Sequence, residues 1–345
     1  MSNINIVDRK RELWLDLAKG LGICLVVTYH TCEGILNSFE NDTETIRALT
    51  SFFRSWLMPM FFMVSGMLIR SSIKNKPTRT HRSKLLDWVY IYLLWSLIIY
   101  LVRLLTNSFT NTNMAANEIF FILWNPVPTI WFIYALALSH LVTLLVRNMS
   151  PNLVIGIAVV ANFLNSFYFG WFEGSIFERF AWIYLFYAIG FFKGDGLIEV
   201  IKSDKLTFLG PLFFIGFGVF IALYRSELHM VTKPIVSLLM ATAFLIICYR
   251  AEALFKSTRL FKFSVYVGSI SLFIYLTHFA LPAASRMFLS KIGLYSFSAN
   301  ILIAVGLAVC IGIIASKLST KQPIKLFFER PRLRKKVKNV TPHSV

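Results

Sequence analysis

Apolar residues run in long stretches along this chain, each closed by a short polar break, with none of the strict alternation that marks half-buried strands. A helix needs about 20 predominantly apolar residues to cross a bilayer's hydrocarbon core, and ten stretches approach that length. They cover 13–33, 52–70, 85–105, 118–146, 153–168, 179–193, 207–224, 234–250, 264–285 and 299–316. The fourth contains Pro126 and Pro128, which predict a short lead-in and then a helix from about Trp131. The fifth and sixth are short, as tilted or partly re-entrant segments are. The pattern predicts an all-α, polytopic membrane protein of about ten transmembrane helices. It divides into an N-terminal segment 1–12, a membrane domain 13–316 and a basic tail 317–345.

Composition agrees with that pattern. Of 345 residues, 57% are hydrophobic and 15% charged, against about 45–50% and 25% in soluble domains, and the mean hydropathy is +0.65. Disorder, collagen, coiled coil and a disulfide-rich module are excluded. A net charge of +18 would suggest nucleic acid in a soluble protein, but here its distribution decides. With the N-terminus inside, 26 of the 35 Lys and Arg residues fall in inner segments and 6 in outer ones; Lys19, Arg54 and Arg103 lie within spans. That asymmetry puts both termini in the cytoplasm and makes the cytoplasmic (inner) membrane the expected location. The partners expected are membrane lipid, with the tail on the anionic inner leaflet, and no nucleic acid. Asp16 and Lys19 inside the first run, and no small-residue cleavage site, make it a span rather than a signal peptide. The four cysteines and the scattered histidines His81, His140, His229, His278 and His343 show no metal-ligand spacing, so no metal is expected.

Ionisable groups inside a span are costly and point to function. The first span carries Asp16, Lys19, His30 and Glu33. At 100° per residue, Lys19 and His30 are within about 20° of each other around the helix and ~16 Å apart along it. Asp16–Lys19 and His30–Glu33 are each three residues apart and share that face. This stripe predicts either a salt bridge and a buried histidine, or a water-filled substrate path. His30 has the chemistry to accept a proton from a hydroxyl or to carry an acyl group, and Glu33 to hold the imidazole.

These residues resemble the acyltransferase-3 family of integral membrane acyltransferases. Trp14-Leu-Asp-Leu-Ala-Lys-Gly through His30 is similar to the family's first helix, with Lys19 and His30 matching its basic residue and its histidine, which are separated by ten intervening residues. The Asp-x-Ala-Lys-Gly variant resembles the fucose 4-O-acetylase-like branch. Met58-Pro-Met-Phe-Phe-Met-Val-Ser-Gly66 is similar to the second-helix signature, and Arg79-Thr-His-Arg82 to an inner-loop Arg-x-x-Arg. Trp131-Phe-Ile, Tyr187-Ala-Ile-Gly190 and Ser271-Leu-Phe-Ile-Tyr-Leu-Thr-His278 follow in the family's order. The resemblance implies transfer of an acyl group, usually acetyl, from cytoplasmic acetyl-CoA to a hydroxyl of a glycan or lipid-linked saccharide. It implies donor binding by Arg79 and Arg82 and catalysis by His30 with Lys19, Asp16 and Glu33. Many members add an extracytoplasmic esterase-like domain; this chain resembles the stand-alone form. Read without the resemblance, the ionisable stripe also fits a proton-coupled transporter, and a non-enzymatic glycan-assembly partner is a third reading.

Overall fold

The computed structural model describes residues 12–36, 43–75, 78–106, 116–167, 174–206, 209–223, 233–294 and 296–331. Among them are thirteen α-helices and no strand: α1 (Leu13–Leu36), α2 (Thr43–Asn75), α3 (Thr78–Thr106), α4 (Trp131–Val146), α5 (Pro151–Phe167), α6 (Ile176–Phe192), α7 (Gly194–Lys202), α8 (Leu209–Leu223), α9 (Lys233–Phe255), α10 (Arg259–Ser269), α11 (Ser271–Thr277), α12 (Leu281–Lys291) and α13 (Phe297–Leu318). Six segments are long and apolar enough to cross a membrane: Leu13–Leu36, Glu44–Arg70, Thr80–Thr106, Lys233–Phe255, Ser271–Lys291 and Phe297–Leu318. The remaining apolar stretches form the shorter helices α4, α5, α6 and α8, of 16, 17, 17 and 15 residues. At 1.5 Å per residue these reach about 22–26 Å.

Two boundaries differ from the apolar pattern or sharpen it. The ninth stretch, read as 264–285, is cut at Ile270, where the backbone leaves the helix (φ −105°, ψ 11°) between α10 and α11; the long segment is Ser271–Lys291. The prolines of the fourth stretch act as expected, with a 3-10 turn at Ala116–Phe121 and a helix that starts at Trp131.

Caps and close crossings fix the bundle. Ser175 starts α6 by accepting the Glu178 N–H at 3.3 Å, and the Glu178 carboxylate takes the Gly174 N–H at 2.6 Å, satisfying donors that a helix start leaves open. Arg70 closes the other end of α6, donating to the Phe191 and Phe192 carbonyls at 2.9 Å and pairing with Asp195 on α7. The Gly66 face of α2 meets α6 so closely that a methyl there would overlap the Tyr187 carbonyl, and one at Gly190 would overlap that of Met63. Small residues that bring backbones together are the usual glue of membrane helices, so Gly66 and Gly190 act in packing. Gly20 of α1 and Gly268 of α10 make a second such crossing.

Pro59 lies within α2 and removes one N–H from its ladder. The carbonyl left without that donor, four residues back, is Ser55, and the Ser237 hydroxyl of α9 donates to it. We expect Ser237→Ala to destabilise the protein by about 1–3 kcal/mol, since it strands a part-buried acceptor within a membrane helix. In a Pro59→Ala background, where the ladder N–H returns, the same change should cost less. Thermal melting of the four variants in detergent measures the difference.

Candidate active site

α1 runs through the middle of the bundle, contacting α2, α9, α10, α11, α12 and α13. Its buried residues include Trp14, Asp16, Gly20, Ile23, Val26, Val27 and Thr31. The predicted stripe is present as two separate pairs. Lys19 Nζ meets Asp16 Oδ1 at 2.6 Å, and His30 Nδ1 meets Glu33 Oε2 at 3.2 Å. Between them Ile23, Val26 and Val27 are buried in the hydrophobic core, so the four ionisable groups form two clusters joined by apolar turns.

The Lys19 end is tied down by charge. The Trp14 N–H donates to Glu252 at 2.9 Å and its indole to Glu12 at 2.8 Å, while Lys202 reaches Glu12 at 3.0 Å. Arg250 pairs with Asp204 at 3.1 Å. With Arg70 on Asp195, these basic residues are committed to holding helices together. Arg82, by contrast, is exposed at the start of α3. Arg79 lies on the same first turns, and its side chain falls outside the described residues.

At the other end the geometry suits acid–base chemistry. A carboxylate only accepts, so His30 Nδ1 carries the hydrogen in its contact with Glu33, and Nε2 keeps the lone pair. The second Glu33 oxygen accepts the Tyr29 hydroxyl and lies 3.9 Å from Arg54 Nη2 of α2. Orientation of an imidazole by a carboxylate is how enzymes fix the tautomer and steady the imidazolium. A cavity of about 200 Å³ opens here, lined by Tyr29, Glu33, Leu36, Thr50, Ser51 and Arg54. Its wall carries hydroxyls, a carboxylate and a guanidinium, a set that binds polyhydroxylated ligands.

His278, 248 residues from His30 in the chain, has its ring 5.4 Å away. It is buried, its Nδ1–H donates to the Tyr275 carbonyl at 2.7 Å, and its Nε2 has no partner among the described residues. Two imidazoles, each anchored through Nδ1, therefore stand side by side. The scattered appearance of the histidines is corrected at a second place too. His81 and His140 are buried with their rings 5.5 Å apart, beside Trp88, and His140 Nδ1 lies 3.3 Å from the Tyr187 hydroxyl. Sequence spacing hides both pairs, because helix packing and not local periodicity makes them. Tyr29 and Arg54 are further site residues that motif reading passes over; the one available signal was an arginine inside an apolar run.

Comparison with known proteins bears on these residues. The acyltransferase-3 family model, described as "Acyltransferase domain", matches residues 12–317. A curated relative, "Inner membrane protein YcfT" of Escherichia coli (strain K12), is 39% identical over 77 residues, which is 20% of this chain and 22% of the relative. The chain thus aligns with less than a quarter of that protein's length. No solved structure matches significantly.

Proposed function

Because the chain belongs to the acyltransferase-3 family, we propose that it is an integral membrane O-acetyltransferase that moves an acetyl group from cytoplasmic acetyl-CoA to a hydroxyl of a cell-surface or exported glycan. The observation that carries the reading is His30 held by Glu33, a carboxylate that lines a polar cavity. In the proposed step, His30 Nε2 takes the acceptor's hydroxyl proton as that oxygen attacks the thioester carbonyl. The tetrahedral intermediate collapses by breaking the C–S bond, and the proton passes from the imidazolium to the departing CoA thiolate. Glu33 steadies the imidazolium, and Tyr29 and Arg54 hold Glu33 in place.

The donor's phosphates are proposed to dock on Arg79 and Arg82, with Lys19 orienting the donor arm and Asp16 fixing Lys19. Planar guanidinium groups suit bidentate phosphate contact, and the exposure of Arg82 leaves it available for one. The proposal includes about ten spans, with α4, α5, α6 and α8 as short or tilted crossings, both termini cytoplasmic, segments 1–12 and 317–345 flanking the membrane domain, and residence in the inner membrane. The acceptor is a glycan or lipid-linked saccharide, and the fucose 4-O-acetylase-like branch of the family is the proposed affiliation.

We expect Arg82→Ala to weaken acetyl-CoA binding by roughly tenfold or more, since a charge-assisted hydrogen bond is worth about 1.5–3 kcal/mol. Arg82→Lys should recover only part, lacking the fork geometry. Calorimetric titration with acetyl-CoA measures this, and normal affinity in the alanine variant would reduce the loop to a topology signal. For the function as a whole, mass spectrometry of the host's surface glycans with and without the gene should reveal an added acetyl mass that depends on it. Substrate flux across vesicles with no CoA release would favour a transporter instead.

A further inference from the structure

Arg286 on α12 is the unexplained charge in the described membrane domain. Its Nη1 is buried and meets no hydrogen-bond partner among the described residues. Glu33 of α1, the residue before Gly34, is already engaged by Tyr29, His30 and Arg54. A guanidinium nitrogen shut off from water with no partner is unfavourable unless something anionic meets the group.

Its position ties it to the histidine pair. The guanidinium lies against Gly34 of α1, where a methyl group would overlap Nη1 and stand 3.3 Å from Cζ. Gly34 is four residues beyond His30, hence on the same helix face and ~6 Å further along. Arg286 is eight residues beyond His278, whose ring touches that of His30. Side chains on a helix lean toward its N-terminus, so Arg286 reaches back along α12 toward the two imidazoles. An arginine serving only as an interfacial anchor would extend the other way, to the headgroups.

We propose that Arg286 binds an anionic oxygen group, a phosphate or carboxylate, carried by the acceptor, one helical turn from the hydroxyl presented to His30. Guanidinium is the side chain suited to such a group, since its parallel N–H donors match two anionic oxygens. The acceptor class this selects is an acidic or phosphate-linked saccharide in preference to a neutral one. The word acceptor rests on the acyltransferase reading; the anion site does not.

The test uses the full-length protein in a neutral maltoside detergent, with the melting midpoint read by tryptophan fluorescence. Glucose 1-phosphate, glucuronate and glucose are titrated separately, along with mixed micelles containing phosphatidylglycerol. At least one charged sugar should raise the midpoint at concentrations tenfold or more below those glucose requires. Arg286→Gln should abolish that advantage and Arg286→Lys should keep part of it. The stabilisation by acetyl-CoA should be the same in all three proteins. Should Arg286→Gln fail to fold, Gly34→Ala retains the charge while occupying the space of Nη1, and the same loss is expected. An undiminished charged-sugar response in these variants would overturn the proposal. So would a response confined to phosphatidylglycerol, which would put a lipid headgroup on Arg286. CoA release from acetyl-CoA by the unmodified protein reports the acyltransferase reading separately, so silent sugar titrations beside active CoA release would sink the anion site alone.

Discussion

Replacing His30 by alanine is expected to cut acetyl transfer by about 10²–10⁴-fold, the usual cost of removing a general base, with little change in melting temperature. The loss should fall on kcat, because the imidazole is assigned to bond making and not to holding either substrate. Its surroundings support the separation from stability. His30 is only half-buried, and its ring contacts are Tyr29 and His278, so truncation removes little of the buried core. Glu33→Gln should cost less than His30→Ala, since the amide retains a carbonyl acceptor for Nδ1–H but loses the charge that steadies the imidazolium. Measurement is by radiolabelled acetyl transfer in membranes, with expression matched by immunoblot. Unchanged transfer in a normally expressed His30→Ala protein would remove the central assignment.

The second large effect is all-or-none and concerns sidedness. Lys19 and His30 sit ~16 Å apart along α1, each with its own carboxylate partner. The polar cavity opens at the Glu33 end, and the proposed donor arginines follow α2, a helix that runs back from that end. A donor held at one face and a hydroxyl admitted at the other are joined only by an extended arm. Sealed vesicles of known orientation should therefore transfer acetyl when acetyl-CoA is on the cytoplasmic face and acceptor on the opposite face. Acetyl-CoA supplied only to the opposite face should give none. Cysteine labelling at residues 76 and 44 verifies orientation in the same vesicles. Transfer that requires both substrates on the cytoplasmic face would leave an acyltransferase that modifies its glycan before export.

What could be read from the sequence was whatever repeats within one helix. The apolar runs locate helices well because burial in lipid demands length and hydropathy together. The i, i+3 spacing of Asp16–Lys19 and of His30–Glu33 is local geometry, and both pairs form. The proline pair before Trp131 acts through backbone chemistry alone. Contacts between helices were hidden. His278 against His30, Arg54 against Glu33 and Arg286 against Gly34 depend on which helices surround α1, and no periodicity encodes that. The break at Ile270 was missed because its flanking serines interrupt hydropathy too little to register. The basic residues from Arg70 to Lys84 look alike in sequence, yet Arg70 is spent on the end of α6 while Arg82 is exposed.

The bond from Ser237 to the Ser55 carbonyl links residues 182 positions apart, and that separation is also an interval in time. A ribosome adding about 5–20 residues per second takes on the order of 10–40 s between them. Throughout that interval α2 carries a carbonyl that Pro59 has left without its ladder donor, and hydrocarbon provides no substitute. The nascent helix must meanwhile hold the gap against water, a translocation channel or a chaperone, and it hardens only when α9 arrives. Chains released before α9 is made should therefore retain a proteolytically soft point near residue 55, making this proline–serine pair a checkpoint of assembly order.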